Sequence, residues 1–265
     1  SNPTMVKEFV FDGLWTKPGL LKNTVRMMWA AQKTGMQKLA RSLGITRLLP
    51  GDMPKAERIL SKVPHYSALN RLSEVNQAKG EKKYSVGYFL GCATNLLNPN
   101  VAVATVNVLT HNGCEVTIPA DIRCCGLPHI ANGKIDTARQ LAIHNVKLFN
   151  SYNFDYIVTD CASCSSALAA KNMEFLLNNT EYEEQGQRFA AKVMDLNQFL
   201  IDVVDIQPPF NAKAQKIKVT YHDPCHLANA QGIKVAPREI LRRLPGVNLV
   251  EMNDANRCCG GSGTY

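Results

Sequence analysis

Cysteine is the residue whose number and spacing most plainly point to chemistry in this chain. Nine cysteines occur among 265 residues, and four of them form two adjacent pairs, each inside the tetrapeptide Arg-Cys-Cys-Gly at 123–126 and 257–260. A disulfide between neighbouring residues closes a strained ring, so a vicinal pair is better suited to binding metal than to bridging. Because the number is odd and no secretion signal is evident, we expect reduced thiols.

One group of cysteines is larger than a single zinc ion requires. Zinc usually takes four ligands from two Cys-x2-Cys pairs, whereas this group has five thiols and only one such pair. Thiolates are the usual donors to iron–sulfur clusters, and Gly126 would let the backbone approach a sulfur atom closely. The group therefore favours an iron–sulfur cluster over zinc, and its members are Cys92, Cys124, Cys125, Cys161 and Cys164.

The segments around these cysteines predict how they are brought together. Three β-rich runs precede them, YSVGYFLGC, EVTIP and YIVTD, and helix-length segments, VAVATVNVLTHNG and TARQLAIHNVKLF, lie between. This alternation predicts right-handed βαβ units on a parallel sheet. Since the carboxyl ends of parallel strands share one edge of a sheet, the five sulfur atoms are expected to converge there. On the second helix we expect a buried face of Ala138, Ala142, Val146 and Phe149.

The pattern then begins a second time. KIKVTYHDPC aligns with KKYSVGYFLGC, and the spacing Cys-x31-Cys-Cys of the first copy becomes Cys-x32-Cys-Cys in the second. This indicates an internal duplication, in which the second copy ends before any counterpart of Cys161 and Cys164. We expect the remaining three cysteines to cluster as their equivalents do; they are Cys225, Cys258 and Cys259.

The predicted fold class is α/β, with two pseudo-symmetric repeats of parallel βαβ units and a helical N-terminal arm. The arm is assigned to residues 1–83 and the first repeat to 84–177. A helical linker containing Pro208 and Pro209 covers 178–215, and the second, truncated repeat covers 216–265.

Positive charge is concentrated in the arm. The net charge is +8, but residues 1–83 hold 15 Lys+Arg against 6 Asp+Glu, while the remainder holds 15 against 16. No nucleic-acid motif accompanies these charges, so we expect no nucleic-acid partner. A solvated face, a dock for an acidic partner and contact with an anionic membrane surface all remain open. No apolar run is long enough to span a bilayer, and a cytoplasmic location is expected.

The complete cysteine pattern resembles the CCG cysteine-rich domain. The residues that carry the resemblance are the five spaced cysteines with Gly126, and the segments RCCGLPHIANG, TYHDPCHLANAQGI and RCCGGSGTY. This domain occurs in the iron–sulfur subunits of glycolate oxidase, D-lactate dehydrogenase and anaerobic glycerol-3-phosphate dehydrogenase, and twice in one subunit of heterodisulfide reductase. The resemblance implies one or two 4Fe-4S clusters here. It also implies an upstream ferredoxin-like domain, whose Cys-x2-Cys-x2-Cys-x3-Cys-Pro run this chain lacks.

The resemblance implies an electron-transfer subunit of an oxidoreductase. A flavoprotein dehydrogenase subunit would oxidise a 2-hydroxy acid, and this chain, with no catalytic residue of its own, would pass electrons to a quinone or another carrier, associated peripherally with the inner membrane face. Three alternatives remain open: a subunit of glycerol-3-phosphate dehydrogenase, a disulfide-reducing catalytic subunit, and a metal-free or zinc-bearing scaffold.

Several residues near the cysteines were assigned supporting roles. Arg123 and Arg257 precede the vicinal pairs and would raise a cluster's potential or pair with a carboxylate. His222 and His226 would ligate a cluster or hydrogen-bond to it, and His129 would bond a sulfide or a substrate. We predict Asp223 to cap a helix and Cys114 to be a small core residue.

Overall fold

The computed structural model describes residues 8–48, 53–59, 62–207 and 216–261. These form two compact units, one of Ser1–Leu72 with Cys92–Val103 and the other of Ser73–Gly91 with Ala104–Tyr265. The predicted proline linker at Pro208 and Pro209 lies outside the described residues.

The first unit is helical where it is described, as the sequence predicted for the arm. Pro18 occupies the first turn of helix α1, where a missing N–H breaks no hydrogen bond, and Gly35, at φ 79°, separates α1 from α2. None of the helices described in the chain is long and apolar enough to cross a membrane. The elements are a π-helical turn at Phe9–Leu14, α1 (Pro18–Lys33), α2 (Met36–Ser42), a 3-10 turn at Ile45–Leu48, α3 (Met53–Ile59), a 3-10 turn at Ala68–Asn70, and α4 (Cys92–Leu96).

One ion pair ties α2 to α3. The Arg41 guanidinium lies 2.8 Å from Glu57 Oε1 and also donates to the Glu57 carbonyl at 2.9 Å. Its hydrogen bond to the carboxylate is the main cause of the lowered pKa of Glu57, and Gln37 also bonds to the same carboxylate. Arg41 is therefore engaged within the unit, although an exposed pair of this kind contributes less than about 1 kcal/mol.

The second unit is built on a five-stranded sheet in the order β1-β3-β2-β4-β5. The pairs β2–β3, β2–β4 and β4–β5 are parallel, as predicted, and β1 adds an antiparallel edge. Sequence analysis placed β1 in the helical arm and predicted no strand where β5 lies. The strands are β1 (Val75–Asn76), β2 (Tyr84–Tyr88), β3 (Cys114–Thr117), β4 (Tyr156–Thr159) and β5 (Val193–Asp195).

Helices cover this sheet and complete its core. The predicted buried face of helix α7, at Ile135–Asn150, is confirmed. Each of its four residues is at most 1% exposed; they are Ala138, Ala142, Val146 and Phe149. The Phe149 ring stacks on Phe89 with centroids 5.6 Å apart. Cys114 is fully buried in β3, and burial raises the pKa of its thiol to about 11, which confirms its core role. The helices are α5 (Pro99–His111), α6 (Leu127–Ala131), α7 (Ile135–Asn150), α8 (Ala162–Leu168), α9 (Ala170–Leu177), α10 (Glu183–Ala190) and α11 (Leu196–Asp202).

The second sequence copy reproduces the local geometry of the first. Strands β6 (Ile217–Val219) and β7 (Val247–Leu249) are parallel, with helices α12 (Cys225–Ala228) and α13 (Val235–Arg243) between them in sequence. Ile217 pairs with Val247 as Tyr84 pairs with Cys114, which is the register that the alignment of the copies requires. Gly113 and Gly246 precede β3 and β7 with φ of 81° and 78°. The pseudo-symmetry between complete repeats stays a prediction.

The predicted capping role of Asp223 is wrong. Pro224 is the N-cap of α12 and no side chain caps that helix. Both carboxylate oxygens of Asp223 instead accept hydrogen bonds from Arg238 on α13, at 2.6 and 3.2 Å. Arg238 also contacts Glu251 at 2.9 Å. A guanidinium offers a charge-assisted, two-point contact that a one-turn helix terminus cannot match.

Candidate metal centre

Cys161 and Cys164 lie immediately beyond β4. That strand ends at Thr159, Cys161 is the N-cap of α8, and Cys164 is inside the helix. The Cys161 carbonyl accepts a hydrogen bond from the Ser165 N–H at 2.9 Å, which fixes the turn. In the sheet, β2 lies between β3 and β4. The chain passes from β2 to β3 on one side and then crosses to β4 on the other side, so the strand order reverses between β2 and β4. Open α/β sheets commonly place their sites at such a switch point.

Three thiols meet at this position. Cys164 is hydrogen-bonded to both Cys125 and Cys161, and Cys125 and Cys164 are each 5% exposed. Hydrogen bonds to these two neighbours, together with burial, raise the pKa of Cys164. The pKa of Cys161 is lowered to about 7, mainly by the hydrogen bond from Cys164. The proton therefore stays on Cys164 while Cys161 readily becomes the thiolate that a metal requires.

The vicinal cysteines are held by a residue that sequence analysis missed. Asn145 on α7 is fully buried, and its Oδ1 accepts from the Arg123 N–H at 3.0 Å. Its Nδ2 donates to the carbonyls of Arg123, at 3.3 Å, and Cys124, at 3.2 Å. A single amide thus satisfies three backbone groups of the loop that carries Cys124 and Cys125. The signal that could have found it is a polar residue within the apolar face of α7, seven positions after Ala138, although nothing in the sequence names its partner.

Gly126 and His129 follow the vicinal pair. Gly126 is the N-cap of α6 with φ 87°, a left-handed conformation that costs other residues energy. His129 on α6 is fully buried. Both predicted residues are therefore next to the cysteine loop, and a bond from His129 to a sulfide or a substrate stays a prediction.

A carboxylate accompanies the thiols. Asp160 lies between β4 and Cys161, and its Oδ2 accepts hydrogen bonds from the Tyr88 hydroxyl at 2.7 Å and from Thr105 at 3.2 Å. Burial is the main cause of the raised pKa of Tyr88, and Asp160 raises it further. These bonds anchor the carboxylate against β2 and α5 at the point where the cysteine turn begins.

The second repeat contributes a helix to the same neighbourhood. Helix α12, which begins at Cys225, contacts α8. His226 Nδ1 lies 3.2 Å from Ser163 Oγ, and burial lowers the pKa of His226. Gln231 Nε2 donates to Ser165 Oγ at 2.9 Å and to the His226 carbonyl at 2.7 Å. Elements of both repeats therefore meet beside Cys164, and Gln231 is a second contact residue that sequence analysis missed.

In the second repeat Cys225 is half-buried, and its clustering with Cys258 and Cys259 stays a prediction. Cys258 and Cys259 are exposed, and the Gly260 N–H donates to Cys258 Sγ at 3.4 Å. His222 Nε2 lies 2.8 Å from the Arg257 carbonyl and so holds the second vicinal loop. Arg123 lies 3.9 Å from Asp121, the carboxylate pairing that was one of its two expected roles. Cys92 begins α4 in the first unit, and its part in the site stays a prediction.

The donor set agrees in kind with an iron–sulfur cluster. Among the described residues, no group of three or more His, Cys, Asp or Glu side chains is arranged to hold a metal ion. The buried donors in contact are thiols, the donor type that iron–sulfur clusters use, and Cys125, Cys161 and Cys164 come from two separate segments of the chain.

Thiol alkylation of the metal-free protein tests this electrostatic arrangement. Because its pKa is about 7, Cys161 is expected to react with iodoacetamide with a midpoint near that pH, below the value of about 8.5 for an ordinary cysteine. Its reactivity should rise as the thiolate forms and fall at acidic pH. Buried Cys114, with a pKa of about 11, is the internal control and should stay unmodified at neutral pH.

Peptide mass spectrometry after timed alkylation measures both cysteines in one sample. A Cys161 midpoint at or above that of the same peptide in the denatured chain would contradict the proposed contact with Cys164.

Comparison with known proteins identifies two matching families. Residues 86–169 and 219–265 match the family described as Cysteine-rich domain, CCG. Residues 2–60 match the family described as Glycolate oxidase iron-sulfur subunit, linker region. The first match contains both vicinal pairs and Cys161 and Cys164, and the second covers most of the helical part of the first unit.

Curated relatives extend these matches along the chain. The chain is 27% identical over 261 residues to "Probable glycolate oxidase iron-sulfur subunit" of Bacillus subtilis, covering 98% of this chain and 58% of that protein. It is 35% identical over 192 residues to a subunit of the fumarate reductase (CoM/CoB) of Methanothermobacter marburgensis, covering 72% and 35%. It is 33% identical over 185 residues to "Lactate utilization protein A" of an Exiguobacterium species, covering 68% and 73%. The chain therefore spans little more than half of the first relative and about a third of the second.

Proposed function

We propose, from the premise that this chain belongs to the CCG cysteine-rich domain family of iron–sulfur proteins, that it transfers electrons within a flavin-dependent 2-hydroxy-acid oxidoreductase. Glycolate and lactate are the substrates proposed for the complex, because relatives are named for glycolate oxidase and lactate utilization. The observation that carries the proposal is the buried contact of Cys164 with Cys125 and Cys161 at the carboxyl edge of the sheet.

In this proposal the first repeat holds a 4Fe-4S cluster, which supplies reversible one-electron storage when bound. Its ligands would come from Cys124, Cys125, Cys161 and Cys164, and the contribution of Cys92 is the further expectation from sequence. The second repeat offers only Cys225 and the exposed pair Cys258 and Cys259 among the described residues, so a second cluster there is a weaker part of the proposal.

The remaining residues of the chain would position the ligands. Asn145 fixes the loop of the vicinal pair by three backbone hydrogen bonds. Tyr88 and Thr105 hold Asp160, and with it the start of the Cys161 turn. We assign no catalytic acid or base to this chain, since bond breaking at the hydroxy acid would occur on the flavin of a partner.

The partners in this proposal follow from the electron path. Electrons would arrive from a flavoprotein dehydrogenase subunit, pass through this chain and a ferredoxin-like domain, and leave to a quinone or another carrier. Quinones dissolve in the bilayer, so a cytoplasmic protein with peripheral contact to the inner membrane face is the proposed arrangement.

Anaerobic reconstitution with iron and sulfide tests the electron-transfer role. We expect visible charge-transfer absorbance that is bleached by one-electron reduction and restored by a quinone analogue. Iron and acid-labile sulfide are measured on the same sample. Protein that binds no iron, or that binds zinc in preference during competition, would refute the proposal and favour a scaffold.

Disulfide reduction is a second candidate, favoured by one relative and one contact. The relative is named for a CoM/CoB fumarate reductase, and the contact of α12 with α8 brings Cys225's helix beside Cys164's helix. Turnover of a disulfide by reconstituted protein with reduced viologen would support this candidate. Reoxidation by quinone without disulfide turnover would support the relay.

A further inference from the structure

One surface of the first unit exposes an unusual number of apolar side chains. Met36 and Leu39 in α2 and Leu43 at its C-cap follow one face, because they are three and four residues apart, and they are 60%, 59% and 65% exposed. The 3-10 turn that follows adds Ile45 and Leu48, which are 53% and 84% exposed. We call these five side chains the apolar patch. On the opposite side of α2, Gln37 and Arg41 form hydrogen bonds with Glu57 on α3.

The charges around the apolar patch have one sign. Between residues 17 and 48 the sequence contains seven Lys or Arg residues and no Asp or Glu. Glu57 on α3 is paired with Arg41. Of the other cations in this stretch, three exposed ones lie within three residues of a patch side chain in sequence. These are Lys33, Lys38 and Arg47.

The combination of exposed aliphatic side chains and nearby cations fits a lipid surface better than a protein partner. The centres of protein interfaces are poor in charge and particularly in Lys, whereas Lys33 and Lys38 lie within three residues of the Met and Leu side chains of the apolar patch. Helices that lie in the bilayer interface bury aliphatic side chains while Lys and Arg contact anionic headgroups. Long cationic side chains can reach outward from an apolar surface to do so.

We propose that the apolar patch and its three cations bind the interface of an anionic lipid bilayer. The Met, Leu and Ile side chains enter the headgroup boundary, and Lys33, Lys38 and Arg47 contact lipid phosphates. This inference extends the proposed function, because it assigns the peripheral membrane contact to a defined surface. It rests on the proposed function for the reason that the protein would contact a membrane, whereas the binding itself is independent of electron transfer. Binding needs no cluster and can be measured on the metal-free chain.

Vesicle binding of the full 265-residue chain tests the proposal. Sedimentation is compared for vesicles of phosphatidylcholine alone and for vesicles that also contain phosphatidylglycerol. We expect binding to the anionic vesicles that weakens with salt, because the headgroup attraction is screened beyond about 8 Å at physiological ionic strength. Replacing Lys33, Lys38 and Arg47 together by Gln should weaken binding roughly 10- to 100-fold. The triple variant Leu39→Ser, Leu43→Ser, Leu48→Ser should abolish it.

Matched variants on the second unit control for general loss of charge or apolar surface. Val235 and Phe175 are 67% and 57% exposed, and their replacement by Ser should leave binding unchanged. The charge control replaces three exposed lysines by Gln; these are Lys171, Lys218 and Lys234. Circular dichroism on every variant verifies that the helices form.

Each outcome decides the proposal. No binding to anionic vesicles, equal binding to both vesicle types, or equal weakening by patch and control variants would overturn it. A dimer that dissociates when the three leucines are replaced, without vesicle binding, would assign the patch to a second copy of the chain instead. Iron binding is scored separately, so failure of the membrane proposal leaves the cluster proposal standing, and the reverse also holds.

Discussion

Replacing Cys125 by Ala is expected to remove the iron of the first repeat while leaving the protein folded. Cys125 is 5% exposed and contacts Cys164, so its loss removes one ligand from the centre of the proposed site. A cluster with a missing thiolate loses its iron readily, because thiolate ligation holds it together. Iron per chain after reconstitution should fall by about four atoms, the content of one 4Fe-4S cluster.

Cys114→Ala provides the matched control for this prediction. Both thiols are buried, but Cys114 lies within β3 and contributes to the core alone. Its replacement should cost some stability, as small core deletions do, and leave iron binding intact. Equal iron content in the Cys125→Ala variant and the unmodified protein would remove Cys125 from the ligand set.

The second large effect is expected at Asn145. Leu has a similar volume but cannot bond to the Arg123 N–H or to the carbonyls of Arg123 and Cys124. Leaving such groups without partners costs about 1–3 kcal/mol each when they are buried. We expect the Asn145→Leu variant to unfold with a free energy lowered by roughly 2–4 kcal/mol, and to lose its cluster faster than the unmodified protein.

A measurement on the cluster itself distinguishes a positioning role of Asn145 from a general loss of protein stability. The amide holds the loop that carries two proposed ligands, so the visible circular dichroism and reduction potential of any cluster retained by Asn145→Asp should also change. Asn150→Leu, on the same helix, is the control: that side chain donates to the Gln185 carbonyl at 3.0 Å, on an exposed part of α7. An Asn145 variant that loses stability but keeps an unaltered cluster spectrum would reduce Asn145 to a structural residue.

Side chains of the second repeat contact the helix that carries Cys164. Helix α12 begins at Cys225, and His226 and Gln231 bond to Ser163 and Ser165 on α8. The exposed pair Cys258 and Cys259 is held separately, through the contact of His222 with the Arg257 carbonyl.

Local sequence patterns were sufficient to predict the parallel strands, the buried face of α7 and the thiol donors of the site. These features follow from local periodicity and from residue type, since alternating strands and helices permit few topologies. Alignment of the two copies also predicted which of their residues correspond, and the β6–β7 register agrees with it by repeating the β2–β3 register. The short strand β5 was missed because its three residues carry too little periodic signal.

Contacts between side chains far apart in sequence could not be predicted from these patterns, because they depend on how the chain packs. Asn145 bonds to Arg123 and Cys124, and Asp223 bonds to Arg238 in place of capping a helix. The packing also leaves the apolar side of α2 exposed, whereas periodicity alone would place such a face against a core. The physical reason is that hydrophobic periodicity reports the local structure of a segment, while a polar side chain's partner depends on how separate segments pack together.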